Sequence, residues 1–246
     1  TTMDRATLYD EAYRSQQTRG VNDLREQVER DSKRMLLWAQ ENKDRFLINH
    51  DWQGLRVLEC GGGTGGVSLQ LAELGAQCTL IDLSPNALAL AQGLASNKGV
   101  SLQVHALDVG TPPEIELGQF DLIIDSHLLH CLPLAPERAS FFQLVKDHLA
   151  PGGIVVGETM AFRKKIFVPE GWRLDDDKVL WQKFAQWLPV RKVADSLDIE
   201  REFNQAGFKI ICFLYYANYG IAASSEFWDI PADILPAAVR YVLTRP

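Results

Sequence analysis

The chain has 246 residues, 46% apolar and 23% charged, with 25 basic against 32 acidic residues and a net charge of -7. That length suggests one large domain or two small ones, with enough apolar content for a real core, and it argues against a disordered, collagen-like or coiled-coil chain. No run reaches the roughly 18 apolar residues of a transmembrane helix. The polar stretch Thr1 to Arg30 does not read as a signal peptide, and the acidic balance disfavours nucleic acid as a partner, a local basic patch aside.

The first 50 residues are rich in Glu, Gln, Arg and Lys, with Leu24, Val28, Met35, Leu36 and Trp38 spaced along them. That spacing predicts a helical N-terminal extension of two helices, broken near Gly20, followed by the main domain over 51–246. Next come a strand at Arg56 to Cys60 and a helix from Thr64 to Leu74 that ends at Gly75. A second strand at Cys78 to Asp82 leads into a helix from Pro85 to about Ser96, with Ser84 as its N-cap. Strands follow at Ser101 to Ala106 and Phe120 to Asp125. A helix from Pro136 to Leu149 is stopped by Pro151-Gly152-Gly153, ahead of a fifth strand at Ile154 to Glu158. The chain closes with a helix over 196–206 and strands at Phe208 to Tyr216 and Val239 to Leu243. Short strands alternating with helices predict an α/β fold with a mostly parallel, doubly covered sheet. Residues 161–194 and 217–237 are long for plain connections, and long loops are often functional. The first holds Phe162, Phe167, Trp172, Trp181, Phe184 and Trp187, the content of a lid or of a small helical cap with its own core. The four cysteines, Cys60, Cys78, Cys131 and Cys212, stand singly among apolar residues, as reduced thiols of a cytoplasmic protein do.

The strongest signal is Glu59-Cys60-Gly61-Gly62-Gly63-Thr64-Gly65-Gly66, placed where a strand gives way to a helix. Glycines there let the backbone turn tightly and approach a ligand. Asp82 ends the next strand, where a carboxylate can accept both hydrogen bonds of a ribose diol. These features together predict a nucleoside-containing cofactor. A dinucleotide fingerprint can be laid over Gly61, Gly63 and Gly66, but a pyrophosphate gives no reason for Glu59. A carboxylate repels phosphate and attracts an ammonium or sulfonium group.

Glu59-x-Gly61-x-Gly63-x-Gly65 resembles motif I of the class I S-adenosylmethionine-dependent methyltransferases. Asp82, Asp108-Val109, Phe120-Asp121-Leu122-Ile123, Leu149-Ala150-Pro151-Gly152-Gly153 and Tyr241-Val242-Leu243 are similar to the motifs that follow in that family, in the same order. The resemblance implies a seven-stranded Rossmann-like sheet with helices on both faces and S-adenosylmethionine as cofactor. It implies that Gly61 and Gly63 cradle the methionine moiety, with Gly65 in the same turn, and that Glu59 supports the ammonium group. Asp82 would hold the ribose and Leu83 would flank the adenine. Asp108 would face the adenine amino group beside Val109, and Asp125 and Ser126 would lie near the transferring methyl group. Tyr13, with Tyr9, would close over the cofactor from the N-terminal helix.

The remaining residues carry weaker signals. His130 and His127, after the fourth strand, are candidates for a general base on the acceptor. The bland alternative is that they hydrogen-bond backbone within an apolar segment. With Cys131 they make too few ligands for a metal, and none is expected. The aromatic insertion would line an apolar acceptor pocket, or pack as a cap core. Asp175-Asp176-Asp177 reads as a solvated helix start or a contact to a cationic substrate, Arg163-Lys164-Lys165 as a solvated turn or an anion contact, and Glu158 as an orienting group or a cap. The expected activity is methyl transfer to a small-molecule acceptor, with no membrane partner and no indication of oligomeric state. The rivals are a nicotinamide-dependent oxidoreductase and a non-catalytic module that binds the cofactor.

Overall fold

The computed structural model describes residues 3–18, 20–47, 51–111, 115–216 and 232–246. Two helices open the chain, α1 (Arg5–Arg14) and α2 (Val21–Phe46), the second starting at the expected break beside Gly20. Then come β1 (Arg56–Cys60), α3 (Gly66–Glu73), β2 (Gln77–Asp82), α4 (Pro85–Lys98), β3 (Gln103–Ala106) and β4 (Phe120–Ser126). A short 3₁₀ turn at Leu129–Cys131 leads to α5 (Ala135–His148) and β5 (Leu149–Ala161). The insertion holds β6 (Trp172–Leu174), β7 (Val179–Lys183) and β8 (Trp187–Lys192); α6 (Ser196–Gln205), β9 (Lys209–Tyr216) and β10 (Ala237–Thr244) follow.

Seven strands form one sheet in the order β3-β2-β1-β4-β5-β10-β9, and only β10 runs antiparallel to its neighbours. Successive side chains of a strand point to opposite faces, so β1 feeds two cores. Val57 packs under α2 and α3 with Met35, Trp38, Val67 and Leu71. Leu58 faces α5 and α6 with Phe141, Phe142, Val145 and Phe203. The strand order reverses at β1, so a crevice opens beyond the carboxyl ends of β1 and β4.

Three expectations are corrected. Helix α3 begins at Gly66 and not Thr64, because Gly63 and Gly65 take the left-handed φ values of 55° and 72° that a helix cannot contain. Strand β5 is longer than Ile154 to Glu158: it pairs with β4 across a register shift and with β10 as far as Ala161. The insertion is no helical cap but a three-stranded antiparallel sheet. Asp175-Asp176-Asp177 is accordingly not a helix start. It lies in the β6–β7 turn, where Asp175 accepts from Val179 N (2.9 Å) and Trp181 Nε1 (2.7 Å). Alternating Val, Leu and Trp suits a half-buried strand better than a helix. In the 217–237 segment, residues 217–231 lie outside the described residues.

The buried Tyr241 on β10 ties the sheet together. Its hydroxyl donates to Asp125 on β4, its ring packs at a tilt against Phe203 with centroids 4.6 Å apart, and it fills the space left by the missing side chain of Gly157. Replacing Tyr241 by Phe leaves a buried carboxylate short of a donor. We expect this to cost about 1.5–3 kcal/mol, read as a lowered midpoint in urea unfolding with an unchanged slope.

Candidate active site

A cavity of about 580 Å³ occupies the crevice, within the usual range for a small-molecule site. One wall is made of the carboxyl ends of the strands. Glu59 ends β1 almost fully buried, and its Oε2 accepts the amide of Ser68 in α3 at 2.8 Å. Burial pushes its pKa above the ordinary carboxylate value, against the bonds from Ser68 and Ser126. Asp82 ends β2, where its Oδ2 accepts Gly63 N (2.8 Å) and its Oδ1 accepts Ser84 N (2.9 Å). Burial raises its pKa too, ahead of the lowering effect of those amides. Asp108, after β3, accepts Gly110 N at 2.9 Å, and Leu83 and Val109 line the space between.

The glycine turn separates into two roles. Gly61 lines the cavity, and Gly63 donates its amide to Asp82. A Cβ on Gly63 would collide with the Tyr13 hydroxyl, and one on Gly61 with Leu128. Gly65 is not among the lining residues. Its left-handed backbone starts α3, and a Cβ there would press on Leu80.

The roof comes from the N-terminal helices. Tyr9 and Tyr13 of α1 line the cavity, and burial pushes both phenols upward. Helix α1 buries no residue completely, so polar latches hold it. Asp10 accepts from Ser84 Oγ (2.6 Å), Asn86 N (3.0 Å) and Asn86 Nδ2 (2.6 Å), and Arg5 pairs with Glu137 while donating to Cys131 O at 3.1 Å. Asp31, Ser32 and Met35 of α2 complete that side.

At the end of β4, Ser126 and His127 reach the cavity, but Asp125 does not. Asp125 is fully buried and accepts from Leu128 N (2.7 Å), Leu129 N (3.2 Å) and Tyr241. Its expected cofactor contact is thus replaced by a structural one. His127 has a left-handed φ of 64°, a conformation found disproportionately at functional sites in non-glycine residues. Its Nε2 lies 3.1 Å from Glu158, whose carboxylate also binds Arg34 and Arg240. Burial works to raise the Glu158 pKa, but these three partners hold it below the ordinary value, so Nε2 of His127 faces an anion.

His130 is buried, and its Nδ1 accepts from Met160 N at 3.3 Å, which puts the proton of the neutral ring on Nε2. Burial drives its pKa well below 6.5, helped by Arg191, His127 and Arg138. The arrangement makes His130 a hydrogen-bond donor and a poor general base. The insertion's aromatic residues do not line the main cavity. Trp181 and Trp187 instead stack with Arg173, 5.0 and 4.8 Å from its guanidinium. Arg163-Lys164-Lys165 does not line it either. Sequence reading does not single out Arg5, Asp31, Met160 or Arg191, which no motif marks and which only the tertiary fold brings to the cavity. Among the described residues no group of three or more His, Cys, Asp or Glu is arranged to hold a metal ion, and no helix is long and apolar enough to cross a membrane.

Acidic side chains on adjacent strand ends, around a glycine turn at the switch point, define a doubly wound nucleoside-cofactor protein. Comparison with known proteins takes this further. Residues 57–153 match the family model described as a methyltransferase domain. The chain is 30% identical over 152 residues to norajmaline N-methyltransferase of Rauvolfia serpentina, covering 61% of this chain and 50% of that one. It is 31% identical over 152 residues to the tRNA 5-carboxymethoxyuridine methyltransferase of Escherichia coli K12, covering 56% and 55%. The chain thus spans about half the length of these curated relatives. A solved S-adenosylmethionine-dependent methyltransferase from Clostridium acetobutylicum shares the fold, with a TM-score of 0.64 at 16% identity over 87% of this chain and 91% of that one. Residues 57–153 are thus similar to a methyltransferase domain, and the sheet shares the fold of a solved S-adenosylmethionine-dependent methyltransferase.

The two buried acids separate charge from structure. Glu59→Gln keeps an acceptor for Ser68 N and removes a charge that burial disfavours. A carboxylate with a raised folded-state pKa loses stability as pH rises through that pKa, so at pH 7 Glu59→Gln should melt no lower than wild type while cofactor affinity falls about tenfold or more. Asp82→Asn must turn an amide nitrogen toward Gly63 N or Ser84 N, and should lose about 1–3 kcal/mol of stability besides. Thermal melts paired with cofactor titrations check both.

Proposed function

We propose that this protein transfers the methyl group of S-adenosylmethionine to a nucleophilic atom of a small molecule. One observation carries the reading: Glu59, Asp82 and Asp108 converge from three adjacent strands on one cavity. A zwitterionic nucleoside offers an ammonium group, a ribose diol and an adenine amino group, and each is a donor for one of those carboxylates. Gly61 borders the cavity, whereas Gly63 does not line it and acts through its amide to Asp82 and its contact with Tyr13. The small-molecule reading rests on the side chains of α1 and α2 that cover one side of the cavity, and on the net charge of -7, which suits a nucleic-acid backbone poorly.

When bound, the cofactor supplies an electrophilic methyl group on a sulfonium centre. The chain supplies orientation and exclusion of water. Tyr9 and Tyr13 cover the cavity, and Ser126 and His127 border the place where the acceptor meets the methyl group. Where the nucleophile carries a proton, His127, which borders the cavity and sits beside the Glu158 carboxylate, is the candidate to take it. The four cysteines form no disulfide and suit a reducing cytoplasm.

Calorimetric titration with S-adenosylmethionine and its demethylated product tests the cofactor. Micromolar affinity corresponds to about 8 kcal/mol. Since Glu59 and Asp82 are raised above their ordinary values, affinity for the ammonium-bearing cofactor should fall as the pH is lowered through their folded-state pKa values and these acceptors protonate. Absence of binding to the wild type at neutral pH would sink the reading.

A further inference from the structure

The insertion differs in charge from the rest of the chain. Residues 161–194 hold eight basic and four acidic residues, a net +4, whereas the remainder holds 17 basic and 28 acidic residues, a net -11. Its sheet has two unlike faces. On one, Trp172, Leu174 and Leu180 pack with Met160, Val193 and Ala238. On the other, Arg173 stands opposite Trp181, Trp181 opposite Pro189, and Lys183 opposite Trp187, so these side chains share a face. The Arg173 guanidinium lies 5.0 and 4.8 Å from the ring centres of Trp181 and Trp187, and the Lys183 ammonium lies 5.4 Å from that of Trp187. Arg173 and Lys183 are exposed, and the two indoles are partly so. Lys183 and Trp187 flank the β7–β8 turn, which forms an exposed tip at Ala185 and Gln186. Asp175, Asp176 and Asp177 lie at the opposite end of the hairpin, in the β6–β7 turn. The fourth acid, Glu170, is on the tip side, beside the Gly171 whose carbonyl accepts Lys183 N at 2.8 Å.

We propose that this face and its β7–β8 tip dock the protein on an anionic phospholipid bilayer. Indoles flanked by exposed cations suit a headgroup layer, where the ring stays at the interface and the charge reaches phosphate. Attraction to anionic lipid then adds to the apolar area buried. The charge division gives docking a direction: an anionic surface attracts the insertion and repels the remainder, so the insertion leads. A nucleic-acid strand fits less well, because Arg173 and Lys183 already lie over the Trp187 ring on which a base would stack. The expectation of no membrane partner rests on the lack of a bilayer-crossing run, and docking on a surface needs none.

The test needs neither cofactor nor acceptor. Wild-type protein is sedimented with vesicles of phosphatidylcholine alone, and with vesicles of phosphatidylcholine and phosphatidylglycerol in equal parts. It should bind the mixed vesicles about tenfold or more tightly than the neutral ones, and less tightly as salt is raised. Arg173→Gln combined with Lys183→Gln should weaken that binding about tenfold or more. If that protein does not fold, Lys183→Gln alone, at the exposed tip, should weaken it about fivefold. Arg30→Gln combined with Lys33→Gln removes the same charge from exposed positions of α2 and should change it less than about twofold. Wild-type protein that does not prefer the mixed vesicles overturns the proposal, and so does an equal loss in the two double variants. Wild-type protein that binds single-stranded oligouridylate and neither kind of vesicle overturns it in favour of nucleic acid.

Discussion

Asp82 accepts the amide of Gly63 on one oxygen and that of Ser84 on the other, and those two bonds set the geometry of the cavity. Gly63 belongs to the turn leaving β1, and Ser84 caps α4 by accepting Ala87 N at 3.0 Å. Ser84 in turn donates its hydroxyl to Asp10 of α1. One buried carboxylate thus links the first strand, the second strand, the helix after it and the helix that roofs the site. Charge-assisted bonds to a carboxylate are among the stronger hydrogen bonds available to a backbone amide, and this pair compensates an anion that burial would otherwise neutralise.

The roof is held differently from the sheet. Each central strand buries side chains on both faces, whereas α1 rests on Asp10 at one place and Arg5 at another. Elements with few buried apolar contacts open at lower free energy than the core. A helix latched by polar contacts can release without breaking either hydrophobic core. Cofactor access and fold stability are thereby carried by separate sets of contacts.

What was legible in the sequence follows from how local its cause is. β1 is read to the residue because its buried run, a glycine turn and a helix follow in direct succession. The β4 end is read nearly as well, and Ser84-Pro85 marks the start of α4 through cap chemistry that needs no partner. The insertion is not legible locally, because an acidic triplet can start a helix or turn a hairpin, and the choice lies in whether Asp175 finds Val179 and Trp181. His130 looked like a base from its place after β4. Its role depends on the amide of Met160, 30 residues away, and on a burial that no local pattern reveals. Arg191 carries no signal at all, since only the tertiary fold brings β8 to the cavity.

Three buried acids end the central strands, and position alone made all three look like ligand contacts. Their donors separate them. Asp125 accepts from two amides and from Tyr241, a side chain of a distant strand, and it faces away from the cavity. Glu59 and Asp82 accept from amides of the turns beside them and border the open space. A carboxylate has about four acceptor sites, so one that meets only two amides and faces a cavity keeps capacity for a ligand's donors. Asp125 spends that capacity on holding β10 in the sheet, and through β10 it fixes the strand that pairs with β5. The same kind of side chain at the same end of the same sheet is structural in one strand and borders the cavity in its neighbours, although protein donors reach all three.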